Sequence, residues 1–155
     1  MKTTTVEVEG RRYDLRKMRA ATGGYIWQRL QAACLRAGQE QDQTKLEQAA
    51  ESQALADALA RPSEERMRGV CALAFMYLPY EDYDFIVNAV AKSVSRHDAN
   101  GLPMPLMSDD GRWSAGTDDL QDNPCLVTLV MMESLVYNLH PYLAARTGAP
   151  TAATA

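Results

Sequence analysis

Apolar and polar positions alternate near the start of the chain and then fall at helical spacing for most of the rest. Val6 and Val8 alternate with Thr5 and Glu7, Glu9-Gly10 offers a turn, and Arg11 to Leu15 can return the chain. Residues 3–15 therefore predict a β-hairpin. A two-stranded ribbon is marginal alone, so it must lie on helices or join a sheet edge, in this chain or in another subunit. After a break at Thr22-Gly23-Gly24, Ile26, Leu30, Ala33, Cys34 and Ala37 trace one face of a helix that Gly38 can end. Residues 39–60 are rich in Gln, Glu and Ala, with Leu46, Leu55 and Leu59 as the main large apolar side chains. That composition predicts a thinly buried helix. Arg61-Pro62 punctuates, and Ser63 followed by Glu64 and Glu65 opens a helix carrying the apolar run Val70 to Leu78. Pro79 marks the next boundary, and Tyr80 to Arg96 predicts a further helix with Ile86, Val90 and Val94 as its stripe, flanked by Tyr83 and Val87.

The stretch from His97 to Gly116 is the longest without periodicity. Within it, 105–107 and 112–114 can pair across Asp109-Asp110-Gly111 as a short second hairpin. Thr117 to Leu120 fits one helical turn. Asn123 then caps, and Pro124 begins, a final helix to Leu143 that Pro141 should end or kink. Its polar interruptions, Thr128, Glu133, Ser134 and Asn138, do not collect on one face. A helix apolar nearly all round needs cover on several sides. Either it is the central strut of the fold or another chain supplies part of the cover. Residues 147–155 are small and polar, as in a flexible tail. The pattern as a whole predicts a mainly α single domain, 1–146, with four or five helices, an N-terminal hairpin and a short second one near 105–114.

Composition changes this picture little. At 155 residues one domain is expected. The net charge of −4 is unevenly spread: residues 1–36 hold eight Lys/Arg against three Asp/Glu, and 37–155 hold eight against seventeen. The basic end includes Arg11, Arg12, Arg16, Lys17 and Arg19. Without aromatic or groove-reading elements this reads as a solvated face and argues against nucleic-acid binding. Three widely spaced cysteines, Cys34, Cys71 and Cys125, suit a reducing cytoplasm and the role of small buried hydrophobes. The last helix is too interrupted for a membrane span, and the N-terminus has no signal-peptide run.

Candidate chemistry is sparse. His97 and His140 form no metal-ligand spacing, Asp109, Asp110, Asp118, Asp119 and Asp122 lack the order of a calcium loop, and Gly23-Gly24 is only part of a phosphate-binding turn. No catalytic residue, metal or cofactor is expected. The eight methionines are more suggestive. Core filling explains most, but methionine also serves surfaces that accept varied helical partners.

The order of Val6, Val8, Gly10, Tyr13, Leu15 and Arg16, then a helical middle, then Asp110-Gly111-Arg112-Trp113, then Leu135-Val136-Tyr137-Asn138-Leu139 and Tyr142, resembles the tail assembly chaperones of long-tailed bacteriophages and prophages. The likeness spans roughly residues 4–143 and is one of layout. It implies a non-enzymatic role in virion morphogenesis in the host cytoplasm, binding the helical tape measure protein until tail tube protein assembles round it, with room for self-association. Phe75, Met76, Trp113, Met131, Tyr137 and Tyr142 are the residues expected to meet that partner, above all the distal end of the last helix with Trp113. The alternative is a structural or connector component of the particle that acts by self-assembly.

Overall fold

A computed structural model of the chain describes residues 3–40 and 63–146; the expected helix over 39–60 and the expected tail fall largely or wholly outside them. The chain opens with β1 (Thr3–Val8) and β2 (Arg11–Arg16), paired antiparallel from Thr3 with Arg16 to Val8 with Arg11. Glu9 and Gly10 between them both have positive φ, 51° and 79°, the geometry of a two-residue turn whose twist matches the strands. Helices α1 (Ala20–Glu40), α2 (Ser63–Phe75) and α3 (Tyr80–Ser93) follow. Then come β3 (Val94–His97), β4 (Pro103–Pro105), the single turn α4 (Asp118–Gln121) and α5 (Pro124–Arg146). With five helices among the described residues, the fold is mainly α.

The sheet is larger than the sequence suggested. Its order is β1-β2-β3-β4, all antiparallel. Residues 94–96, expected to continue a helix, leave it and pair with β2 from Leu15–Val94 to Tyr13–Arg96. The switch has a visible cause. The Arg16 guanidinium takes the carbonyls of Lys92 (2.8 Å) and Ser93 (3.4 Å), which gives the end of α3 the partners that a further turn would have supplied. Val94 stays buried in its new role because strand and helix both point it at the core. The expected pairing across Asp109-Asp110-Gly111 shrinks to a bridge between Met107 and Trp113.

Three expected helix boundaries also move. The helix begins at Ala20 and passes straight through Gly23 and Gly24, and it continues past Gly38. At α5, Asn123 Oδ1 accepts from the Leu126 N–H (3.2 Å), so the start is as read. Pro141, however, lies inside the helix. A proline removes the bond from its own nitrogen to the carbonyl four residues back. That carbonyl, Tyr137 O, accepts instead from Lys17 Nζ, which also sits 3.9 Å from the Tyr137 ring centroid.

α5 is the central strut. It packs against α1, α2, α3, α4 and both strands of the hairpin. Leu126, Val130, Met131, Leu135, Val136 and Leu139 are buried on it, together with Tyr13, Leu15, Ile26, Leu30, Met67, Cys71, Ile86 and Leu120 from the other elements. Its scattered polar residues have separate explanations. Thr128 Oγ1 bonds back to Pro124 O (2.8 Å), and Glu133 holds Arg68. Asn138 clamps the link from β2 to α1: its Oδ1 accepts from Met18 N–H (2.8 Å), and its Nδ2 donates to Arg16 O (3.4 Å) and Ser134 O (2.9 Å). Only Ser134 Oγ is buried with no hydrogen-bond partner among the described residues of this helix.

Candidate functional site

The six residues singled out from sequence do not form one surface. Met131 is 1% exposed and belongs to the core. Trp113 is half-buried in a crevice with Val127, Val130 and Met131 on one side and Val87, Val90 and Ala91 on the other. Tyr142 stacks on Trp27 at the α1–α5 contact, centroids 5.5 Å apart and planes 22° from parallel. Tyr137 lies under Lys17. Along an α-helix the step from Val127 to Tyr142 is roughly 22 Å, so Trp113 and Tyr142 lie at opposite ends of α5. The Tyr137-Asn138-Leu139 segment is spent internally, on Lys17, on the β2–α1 link and on the core.

Phe75 and Met76 lead to a different surface. Two side-chain pairs fix α2 antiparallel to α5. Ser63 Oγ is 3.3 Å from His140 Nδ1, and Arg68 meets Glu133 through two bonds of 2.6 and 2.9 Å. Residues four apart share a helix face. Moving from Arg68 along α2 gives Ala72, and moving the other way from Glu133 gives Leu129 and then Cys125; Met76 lies one residue past the end of α2, in a turn where its N–H bonds Leu73 O (3.2 Å). The register of these pairs sets Ala72 opposite Leu129, with Cys125 one turn nearer the start of α5 and Met76 just past the end of α2. All four are exposed: Met76 by 75%, Leu129 by 44%, and Ala72 and Cys125 likewise. Leu73, 36% exposed, adjoins them, while Phe75 is half-buried against the core. The result is an apolar seam between two helices, closed at one end by the Arg68–Glu133 ion pair.

Sequence reasoning reached Met76 and Phe75 but missed Ala72, Leu73, Cys125 and Leu129. A signal was present. After Gly69 the α2 segment has no polar residue on any face, the criterion applied to α5 but not to its neighbour. Cys125, expected to be buried, is exposed because it sits in the first turn of α5, before that helix enters the core.

A second exposed apolar pair lies elsewhere. Tyr25 of α1 meets Phe85 of α3 edge to face, centroids 4.7 Å apart. Arg29 covers the tyrosine face at 5.7 Å and bonds the buried Asp82 (2.9 Å). Beside Phe85 runs an open groove of about 810 Å³, bordered by Arg16, Lys17, Arg19 and Lys92 and by Glu81, Asp84 and Asp109.

Several polar groups near the sheet are engaged in structural pairs. His97 Nε2 lies 2.8 Å from Asp14 Oδ2, and Thr5 Oγ1 donates to Asp14 Oδ1 (2.7 Å). These bonds, the one from His97 foremost, hold the Asp14 carboxyl below its ordinary pKa. A cleft of about 670 Å³ is lined by Arg11, Arg12, Arg96 and His97. Arg96 is already engaged there: it grips both oxygens of Asp119 (2.7 and 3.0 Å) and donates to Gly116 O. That grip lowers the Asp119 pKa. The aspartates that cluster in sequence separate in space, Asp110 into the turn with Ser108 and Arg112, Asp119 to Arg96. Among the described residues no three His, Cys, Asp or Glu side chains stand together as metal ligands, and no helix is long and apolar enough to cross a membrane.

Comparison with known proteins adds no assignment: no family model, no curated protein and no solved structure matches the chain.

Proposed function

We propose that this protein is a non-enzymatic tail assembly chaperone of a long-tailed bacteriophage or prophage. In this reading it holds an apolar helical segment of the tape measure protein in the host cytoplasm until tail tube protein assembles. The sequence layout supplies the class, and the α2–α5 seam carries the binding. Two antiparallel helices leave a shallow trough between them, and a third amphipathic helix can lay its apolar stripe there. Met76 and Leu129 are the natural anchors, since full burial of each is worth about 1.5–3 kcal/mol. Arg68 and Glu133 at one end offer polar contacts that fix the direction of the guest helix.

The test is co-expression with the tape measure protein. The wild-type chain keeps it soluble and co-purifies with it. A Met76→Glu/Leu129→Glu double variant, folded by circular dichroism, loses the complex, while Tyr142→Ala keeps it. Absence of a complex with the wild-type chain removes the proposal. Retention by the double variant moves the site away from the seam. The second reading, a structural or connector component acting by self-assembly, draws on the open edge of the sheet at β1 and gains support if purified particles contain the chain.

A further inference from the structure

The two edges of the sheet are built differently. At one edge β4 reads Pro103-Met104-Pro105, so two of its three residues have no N–H to offer a new strand. At the other edge β1 reads Thr-Thr-Thr-Val-Glu-Val, six residues with no proline, lysine or arginine. Natural sheets blunt the edges that must stay single, with proline, lysine or bulges. Among the described residues one edge is closed by proline and the longer one, β1, has no further strand beside it.

The hairpin turn decides which groups of β1 point outward. In a two-residue turn the flanking pair, Val8 and Arg11, exchanges hydrogen bonds, and the pattern alternates from there. Val8, Val6 and Thr4 thus direct their backbone groups at β2. Thr3, Thr5 and Glu7 direct theirs away from the sheet, and their side chains are exposed on its outer face.

We infer that β1 pairs antiparallel with β1 of a second copy of this chain, about a two-fold axis at Thr5, joining two four-stranded sheets into one of eight. Outward-directed residues must pair with one another across the axis, which then falls at a residue; an axis at Thr4 or Val6 makes only two such pairs, Thr3 with Thr5 or Thr5 with Glu7, so the choice lies among Thr3, Thr5 and Glu7. Centring on Glu7 sets two carboxylates face to face, which is destabilising. Centring on Thr3 leaves the Glu7 end of both strands unpaired. Centring on Thr5 places Thr5 opposite its own copy and Thr3 opposite Glu7 on both sides. Each of these three pairs exchanges two backbone hydrogen bonds. Thr4 and Val6 then face each other across the non-hydrogen-bonded positions on the helix side of the sheet. The interface lies apart from the α2–α5 seam, and its failure would leave the chaperone reading standing.

Analytical ultracentrifugation across a dilution series tests it. The wild-type chain sediments as a dimer that dissociates on dilution. Thr5→Lys and Thr5→Glu each set like charges against themselves at the axis and sediment as monomers with unchanged helical circular dichroism. An equimolar mixture of the two variants recovers the dimer mass, because lysine then faces glutamate. Glu7→Pro, which removes an outward N–H and no bond of the hairpin, also gives a monomer. A wild-type chain that is monomeric at every concentration overturns the inference, as does a Thr5→Lys chain that remains dimeric or a mixture that fails to associate.

Discussion

Lys17 reaches the group to which a Pro141 N–H would have donated: its ammonium bonds the Tyr137 carbonyl, and it lies 3.9 Å from the centroid of the same tyrosine's ring. One side chain from the β2–α1 link thus repairs the helix and covers its aromatic. Lys17→Met keeps the aliphatic stem and removes the charge, and is expected to cost about 1–2 kcal/mol by chemical denaturation. In a Pro141→Ala background the helix supplies its own N–H to Tyr137, so the same substitution should cost less. A double-mutant cycle that returns no coupling between Lys17 and Pro141 would refute the repair.

Gly23 and Gly24 sit inside α1 with room to spare. A Cβ at Gly23 would lie 3.9 Å from Leu139 Cδ2, and one at Gly24 3.7 Å from the Tyr142 hydroxyl, both ordinary contact distances. Neither glycine needs a positive φ. Gly23→Ala and Gly24→Ala should each stabilise by about 0.5–1 kcal/mol through helix propensity alone. Ser134→Ala removes a buried hydroxyl that has no partner among the described residues and should add about 1 kcal/mol more. Higher thermal midpoints for all three are the expected reading, and a lower midpoint for Gly24→Ala would show that α1 and α5 approach more closely than these distances.

Acid should loosen the protein in a defined window. Asp14 and Asp119 are held below the ordinary carboxylate value of 3.8, by His97 and Arg96 respectively. The unfolded chain then binds more protons than the native one as pH falls, so these pairs contribute fully above pH 3.8 and lose their contribution below it. Asp119→Asn should flatten the fall of stability with pH in that range, measured as denaturation midpoint against pH. An unchanged slope would show that the Arg96 grip is energetically neutral.

The three cysteines should react in order of exposure. Cys125 is exposed, Cys34 is half-buried with its thiol pKa raised by burial, and Cys71 is buried with its thiol pushed up to about 12, mainly by desolvation. A thiol reagent at neutral pH should label Cys125 first in the native protein, and all three in denaturant. Protection of Cys125 on adding the tape measure protein would place the guest over the α2–α5 seam, since Cys125 lies one turn from Leu129 in the first turn of α5.

What the sequence disclosed was what local spacing controls. Ile26, Leu30, Ala33 and Ala37 are buried as one helix face, and Asn123 caps α5. The hairpin turned where Glu9-Gly10 allowed it. Misjudged boundaries depended on distant partners. Val94 to Arg96 became a strand because β2 lay beside them and the Arg16 side chain took the carbonyls of Lys92 and Ser93, 76 and 77 residues away from it in sequence. Pro141 lies inside its helix, and the Tyr137 carbonyl that its ring cannot serve meets Lys17 from 120 residues upstream of that tyrosine. The same limit hid the seam: exposure at Leu129 follows from how α2 lies along α5, and periodicity within either helix cannot report it. Tyr137 and Asn138 looked like surface features for the opposite reason, since their partners at Lys17, Arg16 and Met18 are nowhere near them in the chain.

The Asn138 clamp on Met18 also sets a clock on biosynthesis. The bond joins positions 120 residues apart, and the hairpin rests on α5. At roughly 5–20 residues per second, a ribosome that has finished the hairpin needs about 6–24 s before Asn138 exists. For that interval β1 waits with an unguarded edge and without its supporting helix. A nascent chain of this design is most exposed to wrong pairing while it is still being made, and crowded polysomes would be where slow translation does the most damage.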